Sequence, residues 1–268
     1  MKTTLAKAQI EEYQREGVLI YRDFMSAAEV DQMLKDISEA IGRMGANVVA
    51  DLKEYGEVPK DEDSYGKVFL QRVNMWKVSD KIKRVFLGPE LGEMVSKLAG
   101  VDAMRVWHDQ TLQKLPWANA TAWHLDNPYW SFHSPQAISI WIALDPAVVE
   151  NGCMHYIPGS HKTAEFSRNV PIGPDTGKLF KAYPEWAGIK PVIGTMKPGD
   201  CGFHNGLTAH GAGPNMTPGY RRAMTCAYMP DGSTFNGNKN ILPKAYMDTL
   251  KIGDPLRNDA LNPLVWKK

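Results

Sequence analysis

Ala137-Ile138-Ser139-Ile140-Trp141-Ile142-Ala143-Leu144 alternates with a period of two, the period of a β-strand. Ile138, Ile140, Ile142 and Leu144 share one face, while Ala137, Ser139, Trp141 and Ala143 share the other. The aliphatic face predicts the core of a sheet; small residues around a single Trp suit the wall of a pocket. From Met104 onward, β-branched and aromatic runs are cut by turn signals at Pro116, Asn151-Gly152, Pro158-Gly159, Pro198-Gly199-Asp200, Asn205-Gly206 and Gly211 to Pro214. Short strands spaced in this way indicate a sandwich or barrel over residues 101–230. Residues 163–190, with Pro171, Gly173, Pro174 and Gly177, are expected to form an inserted loop over its mouth, and residues 231–268 a wrapping tail.

Upstream the periodicity is helical. Residues 4–16 carry Leu5, Ile10 and Tyr13 among charges, and Gly17 stands where a helix C-cap is expected. Val18-Leu19-Ile20-Tyr21 reads as a strand. Ser26 and Glu29 have capping-box spacing, and Val30, Met33, Leu34, Ile37 and Ile41 then recur at helical intervals toward Gly42. Residues 80–99 fit a helix pair split at Gly88-Pro89, so residues 1–100 form a mainly helical support. Residues 46–66 read as an irregular crossing bordering the site. The expectation is one catalytic domain spanning residues 1–268.

With 31 basic and 30 acidic residues, the formal charge of +1 gives no global pull toward nucleic acid or an anionic membrane, leaving a small molecule as the expected partner. The composition says nothing of oligomeric state. Cys153, Cys201 and Cys226 show no metal-type pairing and read as small buried apolar residues. No stretch approaches the roughly 18 apolar residues of a membrane span, and the charged start does not resemble a signal peptide, so a cytoplasmic location is expected.

His124-Leu125-Asp126, within Trp123 to Trp130, places two metal-competent side chains two residues apart, facing the same way on a strand. His210, in Ala209-His210-Gly211-Ala212-Gly213, lies in a frame small enough for close approach to a filled site. Two imidazoles and a carboxylate on one face of Fe(II) leave positions open for oxygen and a chelating co-substrate. A buried His paired with Asp is also a common hydrogen bond in its own right, so the case rests on the ensemble. Arg221 supplies it: on the predicted strand Tyr220 to Met229 it shares a face with Ala223, Thr225 and Ala227, which leaves a cavity, and its planar fork suits a carboxylate. His108, His133, His155, His161 and His204 read as hydrogen-bonding residues rather than ligands. His133, just past Tyr129, Trp130 and Phe132, is the one among them expected to meet substrate.

These motifs, with Asn151-Gly152-Cys153-Met154-His155-Tyr156-Ile157-Pro158-Gly159-Ser160-His161-Lys162 and Lys197-Pro198-Gly199-Asp200, resemble the phytanoyl-CoA dioxygenase family of Fe(II)- and 2-oxoglutarate-dependent oxygenases. The resemblance implies a mainly β double-stranded β-helix, a cupin-like jelly roll, with the N-terminal helices packed outside. It implies that His124, Asp126 and His210 bind iron and act catalytically, that Arg221 holds the far carboxylate of 2-oxoglutarate, and that Gln113 and Trp141 line the co-substrate pocket. O2 is the second co-substrate, and the implied reaction is hydroxylation or another oxidation of an unactivated C–H bond, with release of succinate and CO2. Ala212 departs from relatives that carry a hydroxyl there, and the presence of Asp126 disfavours halogenation. Trp107, Tyr129, Trp130 and His133 suggest a compact, partly apolar or cyclic substrate. The competing readings are a zinc-type hydrolase using the same His, Asp and His set, and a jelly-roll binding protein without catalysis.

Overall fold

In the computed structural model, residues 1–50 and 68–268 are described, so most of the crossing expected over 46–66 lies outside the described residues. The chain opens with α1 (Lys7–Glu16), β1 (Val18–Tyr21) and α2 (Ala27–Met44). Gly17 ends α1 at φ 73°, a left-handed conformation that costs glycine little, and its N–H donates to the Tyr13 carbonyl. At Ser26 the capping box closes both ways: Ser26 Oγ accepts from the Glu29 N–H, and Glu29 Oε2 accepts from the Ser26 N–H at 2.8 Å. The helix then runs past Gly42 to a cap at Gly45, because its buried stripe continues through Met44. β2 (Leu70–Val73), α3 (Asp80–Phe86) and α4 (Pro89–Ala99) follow, and the last two break at Gly88-Pro89 as expected.

The β-rich part comprises β3 (Ala103–Lys114), β4 (Thr121–His124), β5 (Ile138–Ala143), β6 (Met154–Tyr156), β7 (Val192–Gly194), β8 (Cys201–Asn205), β9 (His210–Ala212) and β10 (Arg221–Pro230). A large sheet runs β1-β8-β5-β10-β3, with β2 and β11 (Leu264–Lys267) both on the outer edge of β3; a smaller one runs β4-β9-β6-β7. Every ladder between these strands is antiparallel. The two facing sheets form a double-stranded β-helix.

β5 behaves as its alternation requires. Ile138, Ile140 and Ile142, with Leu144 beyond the strand end, enter the main core together with Met224, Cys226 and Tyr228 of β10 and the inner faces of α1 to α4. Trp141 and Ala143 turn the other way, into the space between the sheets with Met154, Tyr156, Ala212 and Ala223. The three cysteines are buried and free.

Two peripheral segments are more ordered than their composition predicts. Residues 163–190 contain α5 (Lys178–Ala182) and a 3-10 turn at Pro184–Trp186, and Leu179, Tyr183 and Trp186 pack on Leu125, Ile157 and Ala209 behind the small sheet. The tail contains α6 (Lys244–Met247) besides β11, and sends Phe235, Leu242 and Leu256 against Trp107, Trp130 and Phe132. Its strand completes the large sheet. No described helix is long and apolar enough to cross a membrane.

Candidate active site

His124 and His210 stand directly opposite each other on β4 and β9. Cross-strand partners share a face, and here the imidazole centroids are 4.2 Å apart. The close approach of the strands needs Gly211: a Cβ there would lie 3.1 Å from the Thr121 carbonyl oxygen. Asp126 arrives differently from the sequence expectation. β4 ends at His124, and Asp126 takes helical dihedrals at the start of a 3-10 turn, where its N–H and that of Asn127 donate to the Gly206 carbonyl. The turn, rather than a continued strand, brings its carboxylate round to the two imidazoles.

The donor set fits one metal ion. Asp126 Oδ1 lies 3.5 Å from His124 Nε2 and 3.7 Å from His210 Nε2, and the three candidate ligand atoms fall within 4.8 Å of one another. Bonds of about 2.1 Å to a common ion require adjacent ligand atoms roughly 3 Å apart, a small contraction. Both tautomers are fixed by carbonyls, which can only accept: His124 Nδ1 donates to Ala122 O at 2.8 Å and His210 Nδ1 to Thr208 O at 2.9 Å, so each Nε2 keeps its lone pair for the metal. Asp126 Oδ2 is meanwhile held by His204 Nε2 at 3.2 Å and Ser139 Oγ at 3.4 Å, which leaves Oδ1 for the ion. Burial, helped by the neighbouring His124, pushes His210 down to about 3. Burial alone would raise Asp126, but His210, His124 and His204 hold it well below the usual carboxylate range. At neutral pH Asp126 is therefore ionised and His210 uncharged, the forms in which each can bind a metal.

Arg221 faces the same cavity, of about 280 Å³, from the first position of β10. Its side chain is fully buried, its guanidinium stands 5.1 Å over the Trp141 ring, and its Nε and Nη1 have no hydrogen-bond partner. Asp145, the acid nearby, is taken by Arg222 through hydrogen bonds of 2.7 and 2.8 Å. Burial lowers Arg221 to about 10, still charged at neutral pH. A metal cluster at one place and an unanswered guanidinium at another suit a ligand that chelates with one end and carries a carboxylate on the other.

Of the substrate and co-substrate residues singled out from the sequence, Tyr129, Trp130 and Trp141 line the cavity, and three others do not. Gln113 pairs with Arg222, on the opposite face of β3 from Lys114 and Arg221; Gln110 takes the place on the cavity wall. A bulge lets Ala227 pair with His108 and Tyr228 with Val106, so Trp107 is the extra residue between them. It is buried in the tail cluster, edge-on to Phe132 at 5.2 Å, and His108 faces the cavity instead. His133 is exposed outside the cavity and stacks on Phe166 with centroids 4.4 Å apart. Sequence reasoning also ranked His204 and His108 low, and did not single out Gln71 or Gln110. Ser139 had a usable signal, its place on the Trp141 face; His108 had one too, its alternation with Gln110 and Leu112 along β3.

A double-stranded β-helix that sets a His-Asp-His cluster in one cavity with a buried, unpaired arginine defines the class of non-haem iron oxygenases that use a 2-oxoacid. Residues 13–223 match the phytanoyl-CoA dioxygenase (PhyH) family, and the chain belongs to it. Among curated relatives it is 38% identical over 140 residues to the dioxygenase lolE1 of Epichloe uncinata, a match covering 52% of this chain and 51% of that protein. This chain thus aligns with about half the length of that relative. Among solved structures it resembles the non-heme alpha ketoglutarate dependent carbocyclase SnoK from nogalamycin biosynthesis, at 25% identity and TM-score 0.78 over 98% of this chain and 97% of that one. The epimerase SnoN in complex with Fe3+, alpha ketoglutarate and nogalamycin RO is 26% identical, with TM-score 0.73 over 97% and 98%.

Proposed function

We propose that this protein oxidises a C–H bond of a compact, uncharged small molecule, using 2-oxoglutarate as co-substrate and releasing succinate and carbon dioxide. One observation carries the reading: Arg221, buried and without an acceptor, opens into the same cavity as the His124, Asp126 and His210 cluster. A hydrolytic metal centre would leave that second, anion-seeking end with no chelating co-substrate to anchor. Iron(II) bound by the three ligands would supply oxygen activation coupled to decarboxylation of the co-substrate. The protein's own part is placement. Trp141 walls the co-substrate's path to Arg221, and Thr121, directly opposite Ala212 on the ladder, offers a hydroxyl where Ala212 has none.

The remaining lining supports a neutral substrate. Beyond the metal cluster and Arg221 the described lining carries carboxamides, a phenol and apolar side chains, among them Gln71, Gln110, Tyr129, Trp130, Ile172 and Ile241. His108 adds an imidazole whose buried Nδ1 has no partner and which burial pushes down to about 4, so it meets substrate uncharged. No cation among these residues would take a phosphate, a phosphonate or the tail of a CoA thioester. In a protein reconstituted with Fe(II), succinate release should require both O2 and 2-oxoglutarate, rise with a neutral cyclic substrate, and vanish in His124→Ala and Asp126→Ala. Turnover in metal-depleted protein, or with zinc and no 2-oxoglutarate, would contradict the reading.

A further inference from the structure

Arg221 is not the only buried cation on its face of the β3–β10 ladder. Lys114 is its direct partner on the β3–β10 ladder, so the two side chains leave the sheet on the same face. The Lys114 side chain is completely buried, and Nζ donates at 2.5 Å to a single acceptor, the carbonyl of Asn119. Among the described residues neither cation has a carboxylate partner. The two charges oppose each other: burial, together with Arg221, pushes Lys114 down to about 7. A like-charged buried pair is costly in the empty protein and becomes favourable when an anion enters beside it.

We propose that Lys114 is a positioning residue of the co-substrate site, whose charge, beside that of Arg221, selects a 2-oxoacid with an ionised far carboxylate. This rests on the reading of Arg221 as the 2-oxoglutarate anchor. Lys114 acts through the field and not through contact, since its amine is engaged by Asn119. The alternative role is mechanical, with the same hydrogen bond pinning the loop after β3. The two roles separate when the ligand's charge is varied along with the residue's.

The test compares Lys114→Gln, which keeps a donor for the Asn119 carbonyl but loses the charge, with Lys114→Arg, which keeps it. Each is titrated anaerobically as the Fe(II) protein with 2-oxoglutarate, and separately with its far-end amide, 2-oxoglutaramate, using the visible charge-transfer band. The expected result is a loss of roughly tenfold in 2-oxoglutarate affinity for Lys114→Gln, recovered in Lys114→Arg, with the weak affinity for the amide unchanged. Equal losses for both ligands would assign Lys114 the mechanical role, and no loss for either would leave it no part in binding; each overturns the proposal. If Lys114→Gln does not fold, the same two titrations on Lys114→Met decide. Failure of the wild-type protein to bind 2-oxoglutarate would overturn the Arg221 reading itself, and is distinguishable because it precedes any Lys114 effect.

Discussion

Arg221 takes its charge into the interior with no protein anion to meet it, an arrangement that costs several kcal/mol unless a ligand supplies one. Two opposite consequences follow for Arg221→Leu. Without co-substrate the variant should be as stable as the parent or more so, because an unpaired buried charge is gone. Its affinity for 2-oxoglutarate should fall by about 2 to 5 kcal/mol. Thermal melts with and without 2-oxoglutarate read both, and a destabilised ligand-free variant would mark Arg221 as structural. At the metal, His204 holds the Asp126 oxygen turned away from the site. His204→Leu should weaken metal affinity by about 10- to 100-fold, the usual cost of losing a partner that orients a ligand, measured by Co(II) titration. Affinity equal to the parent would show that the turn from Asp126 to Tyr129 orients the carboxylate without help.

At the level of elements, β5 divides stability from chemistry by parity. Ile140 belongs to the main core and Trp141 to the cavity wall, one residue apart. Ile140→Ala should therefore cost about 2 to 5 kcal/mol of stability with the 2-oxoglutarate Michaelis constant unchanged. Trp141→Leu should raise that constant with a smaller loss of stability. Paired urea denaturation and succinate assays distinguish them, and matching effects in the two variants would refute the division. The same parity was legible in the sequence for β5 and β10, because both strands alternate without interruption. It failed on β3 because the register was not visible: Gln113 and Trp107 both lie one residue out of step with the face of His108, Gln110, Leu112 and Lys114, which pairs with the Arg221 face of β10. The candidate metal ligands were legible from the two-residue spacing of His124 and Asp126 and the small-residue frame of His210; the structure sets the two imidazoles on paired strands and brings Asp126 in through a turn, a route its spacing also allows.

Across the whole molecule, burial of neutral imidazoles makes stability depend on pH. His108 takes up a proton near pH 6.5 when unfolded but only near pH 4 when folded, so the stability it contributes is complete above pH 6.5 and is lost as pH falls toward 4. Asp109, accepting from the Met75 and Trp76 N–H groups yet pushed up to about 7 by burial, works the other way, with stability lost as pH rises from about 4 to 7. In metal-free protein, His108→Gln should therefore make the change in stability from pH 7.5 to pH 5 more favourable than in the parent by about 2 kcal/mol, read from urea denaturation. An unchanged pH dependence would mean His108 is protonated in the folded state. The order of the outer parts was less legible than the core: the tail's strand and the helix in residues 163–190 are built by tertiary packing on Trp107 and Leu125, with little local periodicity to announce them. If the metal cluster and Arg221 grip the two ends of one molecule of 2-oxoglutarate, adding 2-oxoglutarate to the anaerobic Fe(II) protein should give a weak visible charge-transfer band that saturates in the parent and requires far more 2-oxoglutarate in Arg221→Leu. Iron and 2-oxoglutarate both bound without the band, or a band indifferent to Arg221, would refute that two-ended grip.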